Sequence, residues 1–184
     1  MRRSMINADE AKRLRTTSHE AMLAGRDSWP VRAAAGDLVA AVGLGRYLYV
    51  SHQRTAALHW FEQAVASGDP DGCYNLGVMR REDGRTAEAE ELFSRAAAAG
   101  LPKAMTNLAG LALQRGDHGS AMKWAAKAAQ AGNLNGMINY GVLLLGSGDQ
   151  ADARKWFDAA IQAGGYGARL RIADLVAKSG LTLP

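Results

Sequence analysis

Residues 73–84 read CYNLGVMRREDG, residues 105–116 read MTNLAGLALQRG and residues 137–148 read MINYGVLLLGSG. Each stretch begins 32 residues after the one before it. In each, an asparagine (Asn75, Asn107, Asn139) stands directly before a large apolar residue and a small one. Recurrence at a fixed period of this size is the mark of a repeat architecture, so the columns of the repeat decide the fold. Gly36, Gly68, Gly100, Gly132 and Gly164 keep the same spacing, as do Ala57, Ala89, Ala121 and Ala153, and the large apolar residues Trp60, Leu92, Trp124 and Trp156.

Within one period the pattern divides into two helices. The first presents a small residue, then a large one four positions on, then another small one, as in Gly72, Leu76, Gly77 and in Ala104, Leu108, Ala109. These positions share a helical face, and the small residues let a neighbouring helix approach closely. The second helix carries Ala57, Trp60, Phe61, Ala64 and Val65 at i, i+3, i+4, i+7 and i+8, a core-facing stripe. The spacing predicts pairs near 38–51 with 54–67, 70–82 with 86–99, 102–115 with 118–131 and 134–146 with 150–163, then a last helix near 166–179. The glycine column from Gly36 to Gly164 is expected to supply left-handed caps. Pro70 and Pro102 open the next helices, and Gly84, Gly116 and Gly148 turn the chain inside each unit.

The front departs from the period. Asn7 with Glu10 suits a capping box for a helix over 8–24, and Ser28 before Trp29 and Pro30 opens a short helix that ends at Gly36. The expected organisation is a basic N-terminal cap over 1–36, a repeat array over 37–180 and a tail over 181–184. The expected fold class is all-α: an α-solenoid of about four 32-residue helix-turn-helix repeats with capping helices.

Composition narrows the function. The chain of 184 residues is 48% hydrophobic, yet no segment approaches the ~20 uninterrupted apolar residues of a membrane helix. The opening MRRSMINADEAKRLR places charged residues where a signal peptide needs an apolar run, so a cleaved secretory signal is not expected. A lone cysteine, Cys73, fits a reducing compartment, and a cytoplasmic location is expected. The net charge of +4 arises at the front, because residues 1–54 hold nine Lys/Arg against five Asp/Glu and residues 55–184 hold 13 of each.

The segments YNLGVM, KWAAKAAQAG and KWFDAAIQAG resemble the Sel-one-like repeat, a close relative of the tetratricopeptide repeat, over about residues 37–180. The turns REDGRT, QRGDHG and GSGDQ are tighter than Sel-one-like turns, and the period of 32 lies near the tetratricopeptide value of about 34. The resemblance implies a right-handed superhelix whose first helices line a concave face that binds peptides or proteins.

No enzyme chemistry is indicated. His19, His52, His59 and His118 show no metal-binding spacing and have no second cysteine to join them, so no metal is expected. No GxxxxGK[ST] motif is present, and the glycines sit at helix ends, so no cofactor is expected. Trp60, Trp124 and Trp156 keep helical register with alanine and phenylalanine, which favours core packing over a stacking ladder.

Candidate binding residues lie on the first helices, away from the small-large-small face: Arg46 and Tyr49, then Tyr74, Val78 and Arg81, then Lys103 and Thr106, then Ile138 and Val142, with Arg171 and Lys178 on the last helix. Apolar anchors interleaved with cations suit a protein or peptide partner. Asn75, Asn107 and Asn139 edge that face. An amide both donates and accepts, so the column has two readings: it holds the backbone of a peptide, or it bonds a neighbouring helix. The structural role is favoured, with dual use open. The reading is a non-enzymatic interaction scaffold. The alternative is a nucleic-acid-associated protein whose Arg2, Arg3, Lys12, Arg13 and Arg15 meet phosphates, and the neutral repeat region argues against it.

Overall fold

The structure, a computed structural model, describes residues 28–178. The helix expected over 8–24, the basic residues Arg2 to Arg15 and the tail over 181–184 lie outside the described residues. Among the described residues nine helices follow in order: α1 (Trp29–Ala34), α2 (Leu38–Val50), α3 (Arg54–Ala66), α4 (Pro70–Glu82), α5 (Thr86–Ala98), α6 (Pro102–Gln114), α7 (His118–Gln130), α8 (Leu134–Gly146) and α9 (Gln150–Lys178). From α2 to α8 every helix is 13 residues long, and equivalent helices begin 32 residues apart, as the columns require. By packing, the chain falls into two compact units that divide between Gly72 and Cys73.

In the first unit, Asp37 starts α2. Its Oδ1 accepts the Ala40 N–H at 3.0 Å, and Arg32 donates to Oδ2 from Nε at 2.9 Å. Ala33, Ala40, Ala41 and Leu44 form the core, with Trp29, Leu48 and Trp60 packed on it. Phe61 is also fully buried. A Cβ added to Gly45 would stand 2.6 Å from its Cε1, so the glycine admits the ring.

The second unit repeats this joint. Gly77 receives Phe93 and Gly141 receives Phe157, with an added Cβ 2.8 and 2.5 Å from the respective Cε1 atoms. In the intervening repeat the first-helix residue is Ala109 and the second-helix residue is Ala125, both buried. Each buried phenylalanine contributes about 1.5–3 kcal/mol through burial.

Two expectations need correction. The tryptophans pack half-buried at the margin of the core, and the next residue (Phe61, Ala125 or Phe157) takes the deep position. Trp156 packs against the Phe157 cluster with its ring 5.5 Å from that of Tyr140, and Lys127 covers Trp124 at 4.7 Å. A single residue step turns a helical side chain by about 100°, which is enough to move a ring from the rim to the centre.

The second correction concerns the last glycine column. Gly36, Gly68, Gly100 and Gly132 take positive φ, but Gly164 does not, and the break in α9 falls on Gly165 at φ 58°. Gly164 instead lies against Leu134, whose Cδ2 is 2.7 Å from where a Cβ would be, whereas Gly165 is open. The inner turns Gly84, Gly116 and Gly148 also have positive φ, and His52 takes φ 60° at the same position of the first repeat.

Candidate functional site

Helix starts position the candidate face. Asp69 caps α4 by accepting the Gly72 N–H at 2.7 Å, Asn133 caps α8 by accepting from Gly136 at 2.9 Å, and Asp117 caps α7 by accepting from Ser120 at 2.9 Å. Asp37, Asp69 and Asn133 occupy one column of the repeat, a regularity visible in the sequence but missed there. The Ala40 N–H first, and Arg32 second, hold the Asp37 carboxyl below its ordinary value; bonds from Ser120 do the same for Asp117.

In the first unit, Arg46 is exposed and lines a groove of about 320 Å³ with Trp29, Val42, Gly43, Asp69 and Asp71. Tyr49 is half-buried, and its ring lies 6.0 Å from the Arg54 guanidinium. Gly43 stands where later repeats have Asn75, Asn107 and Asn139. Trp29 of α1 fills the space beside it, 3.3 Å from a would-be Cβ.

In the second unit, side chains of successive first helices meet. The Lys103 ammonium of α6 lies 4.4 Å from the ring centroid of Tyr74 in α4, and Tyr74 also tilts against Phe93 at 5.9 Å. Arg81 donates to Asn107 Oδ1, while Asn107 Nδ2 donates to the Lys103 carbonyl at 2.9 Å. Thr106 donates to Asn133 Oδ1 at 3.1 Å, and Arg171 of α9 donates to Asn135 of α8. Arg171 stands one period after Asn139. At two places in the column, Asn107 and Arg171, the residue meets the preceding first helix, whereas Gly43 meets α1, which aligns by the period with a second helix. At Asn107 the amide oxygen accepts across from α4, while the amide nitrogen bonds within α6.

The remaining candidates are scattered. Asn75, Val78 and Asn139 are half-buried, and Lys178 pairs with Asp174 at 2.7 Å. Ile138 is a correction: it is 0% exposed and belongs to the core with Leu144, Phe157 and Ile172. It lies three residues before Gly141, on the side where that glycine receives Phe157, so no partner can reach it. Val142 is half-buried and joins Leu113, His118, Met122 and Leu143 around an open, mainly apolar groove of about 530 Å³. Sequence reasoning missed Leu113, Met122 and Leu143, whose apolar character reads as core.

Among the described residues, no three His, Cys, Asp or Glu side chains gather to hold a metal, and no helix is long and apolar enough to cross a membrane. The arrangement offers surfaces, paired cations and an apolar recess.

Stacked pairs of short helices with this period define an all-α helical-repeat protein. The tetratricopeptide repeat model matches residues 42–102 and 82–136, together more than half of the sequence, and the chain belongs to that family. No curated protein matches it in sequence. Among solved structures it is similar to a protective antigen present in uropathogenic Escherichia coli strains that displays an SLR fold, with 23% identity over 86% of this chain and a TM-score of 0.72. The match covers 38% of the antigen's chain. A Sel1 repeat protein from Oxalobacter formigenes is similar at 21% identity over 89% of this chain and 76% of its own, with a TM-score of 0.65. YrrB, a TPR protein with an unusual peptide-binding site, is similar at 17% identity over 78% of both chains, with a TM-score of 0.55. These likenesses establish the repeat fold that the sequence resemblance implied.

Proposed function

We propose that this chain is a non-enzymatic protein-interaction scaffold whose first helices take a segment of a partner protein. The observation that carries the reading is the apolar groove at Leu113, Met122 and Val142 beside first helices joined by polar side chains. An open recess of about 530 Å³ accepts an anchoring side chain, and the flanking amides and cations orient a backbone. Tetratricopeptide repeats generally serve as interaction scaffolds, and YrrB has a peptide-binding site, which supports the reading by analogy of fold. Binding of this kind makes and breaks no covalent bond.

Site-specific photo-crosslinking tests it. A benzophenone amino acid replaces Val78 on the first-helix face or Glu91, exposed on α5, in cells that express the protein naturally. The same partner polypeptide is expected from position 78 and not from position 91. Equal capture at both, or capture at 91 alone, rules the reading out.

A further inference from the structure

Beyond the break at Gly165, the arm of α9 over residues 166–178 stands one period after α8 and corresponds to a first helix. Ala168, Ile172 and Val176 of this arm are buried in the core of the second unit. Every earlier first helix is followed by a second one, whereas no helix follows this arm among the described residues.

The difference shows residue by residue. In α8, Ile138 is 0% exposed, Gly141 receives Phe157, and Leu145 is buried. One period on stand Leu170, which is 52% exposed, and Ala173 and Ala177, both exposed. Tyr166, 74% exposed, corresponds to Leu134, which packs on the core. At about 100° per residue, Tyr166, Leu170, Ala173 and Ala177 fall within about 60° of one another and form one apolar stripe. Arg171 and Lys178 point about 110–130° away from it, so the stripe is separate from the candidate binding face.

This stripe is complementary to itself. Along the chain it runs large, large, small, small. When two such arms lie antiparallel about a two-fold axis, the first residue of one meets the last of the other, and the second meets the third. Tyr166 then lies against Ala177 of a second copy, and Leu170 against Ala173. Large meets small, as where Phe157 is seated at Gly141, and ridges fill grooves. A parallel pairing would set tyrosine on tyrosine and leave a gap between the alanines.

We infer that the arm of α9 is a self-association surface on which two copies of this chain pair antiparallel about a two-fold axis. One helix pair covers less than the ~800 Å² a side of a standard interface, so the dimer is micromolar or weaker and depends on concentration. Arg169, Arg171 and Lys178 outnumber Asp174 on the arm, so two arms repel weakly, and added salt tightens a contact made by apolar burial.

Sedimentation velocity of the full chain, from micromolar to about millimolar concentration, tests this. A monomer–dimer equilibrium that strengthens with salt is expected. Leu170→Glu should leave a monomer throughout, since it places like charges in the contact. Ala173→Leu adds apolar surface but sets leucine against Leu170, so it should weaken the dimer, whereas general hydrophobic association would grow. Combining Leu170→Ala with Ala173→Leu restores a large-to-small match and should regain the dimer. Both positions are exposed, and circular dichroism confirms that each variant folds. The inference is overturned by a wild-type chain that stays monomeric, as it would if residues 179–184 or a helix of another protein cover the stripe. A dimer that survives Leu170→Glu, tightens with Ala173→Leu alone, fails to return in the double variant or weakens with salt overturns it equally.

Discussion

Phe93 fills the space in which a side chain on Gly77 would begin: its Cε1 lies 2.8 Å from the position of an added Cβ. The same joint recurs between Gly45 and Phe61 and between Gly141 and Phe157, and gives way to Ala109 and Ala125 in the third repeat. Three of the four helix pairs close by matching a glycine on one helix to a phenylalanine on the other. Gly77→Ala should therefore destabilise the protein by about 1–3 kcal/mol through overpacking, less up to about 1 kcal/mol gained in helix propensity. Phe93→Ala should cost about 3–5 kcal/mol. The double variant recreates the third repeat's pair, so its cost should fall below the sum of the two. Urea denaturation of all four proteins gives the coupling, and strict additivity would refute the joint.

The period made the fold legible. Helices α2 to α8 begin and end within a residue of the limits the columns predict, because each column repeats a physical demand several times over. The site was less legible, since it depends on residues that differ between repeats. Ile138 and Tyr74 share a column, yet Ile138 is sealed beside Phe157 while Tyr74 lies against both Phe93 and Lys103. The link from Arg81 to Asn107 crosses between helices, and no pattern within a single helix discloses it. The cap column of Asp37, Asp69 and Asn133 was readable but lies outside the hydrophobic stripe, where attention to apolar period does not fall.

His52 holds φ 60° at the turn where the other repeats place Gly84, Gly116 and Gly148. A side chain in this left-handed conformation costs about 1–2 kcal/mol. His52 is exposed, so His52→Gly removes that strain and sacrifices little packing. Part of the gain is offset by the greater freedom of glycine in the unfolded chain. The melting temperature should rise modestly. An unchanged or lowered value measured by calorimetry would show that the imidazole makes compensating contacts.

Asp37 and Asp117 accept N–H bonds at the starts of α2 and α7, which lowers each carboxyl pKa below the ordinary value of 3.8. A depressed folded-state pKa means that the charged group stabilises the fold fully above the unfolded value. That contribution fades as pH falls below 3.8 through the lower folded value. Asp37→Asn and Asp117→Asn keep an acceptor oxygen but have no carboxyl proton to gain. Stability measured by urea from neutral pH to about pH 3 should therefore fall less steeply in the variants than in wild type. Parallel curves would remove these caps from the acid response.

Asn107 links two helices. Its amide oxygen accepts from Arg81 and its amide nitrogen donates to the Lys103 carbonyl, so it ties α6 to α4 as well as to its own preceding turn. Arg171 makes its contact toward the preceding first helix at the same position, as a joint between repeats does. Asn107→Ala should cost about 0.5–1.5 kcal/mol without any partner present, the usual contribution of a hydrogen bond. Adding Arg81→Ala should cost less than it does alone, because its acceptor is already gone. The pair Asn107→Ala with Asn139→Ala separates structure from recognition. Loss of thermal stability in the isolated protein is expected from the joint. Retained stability with lost capture of the crosslinked partner would instead make the column a peptide ladder.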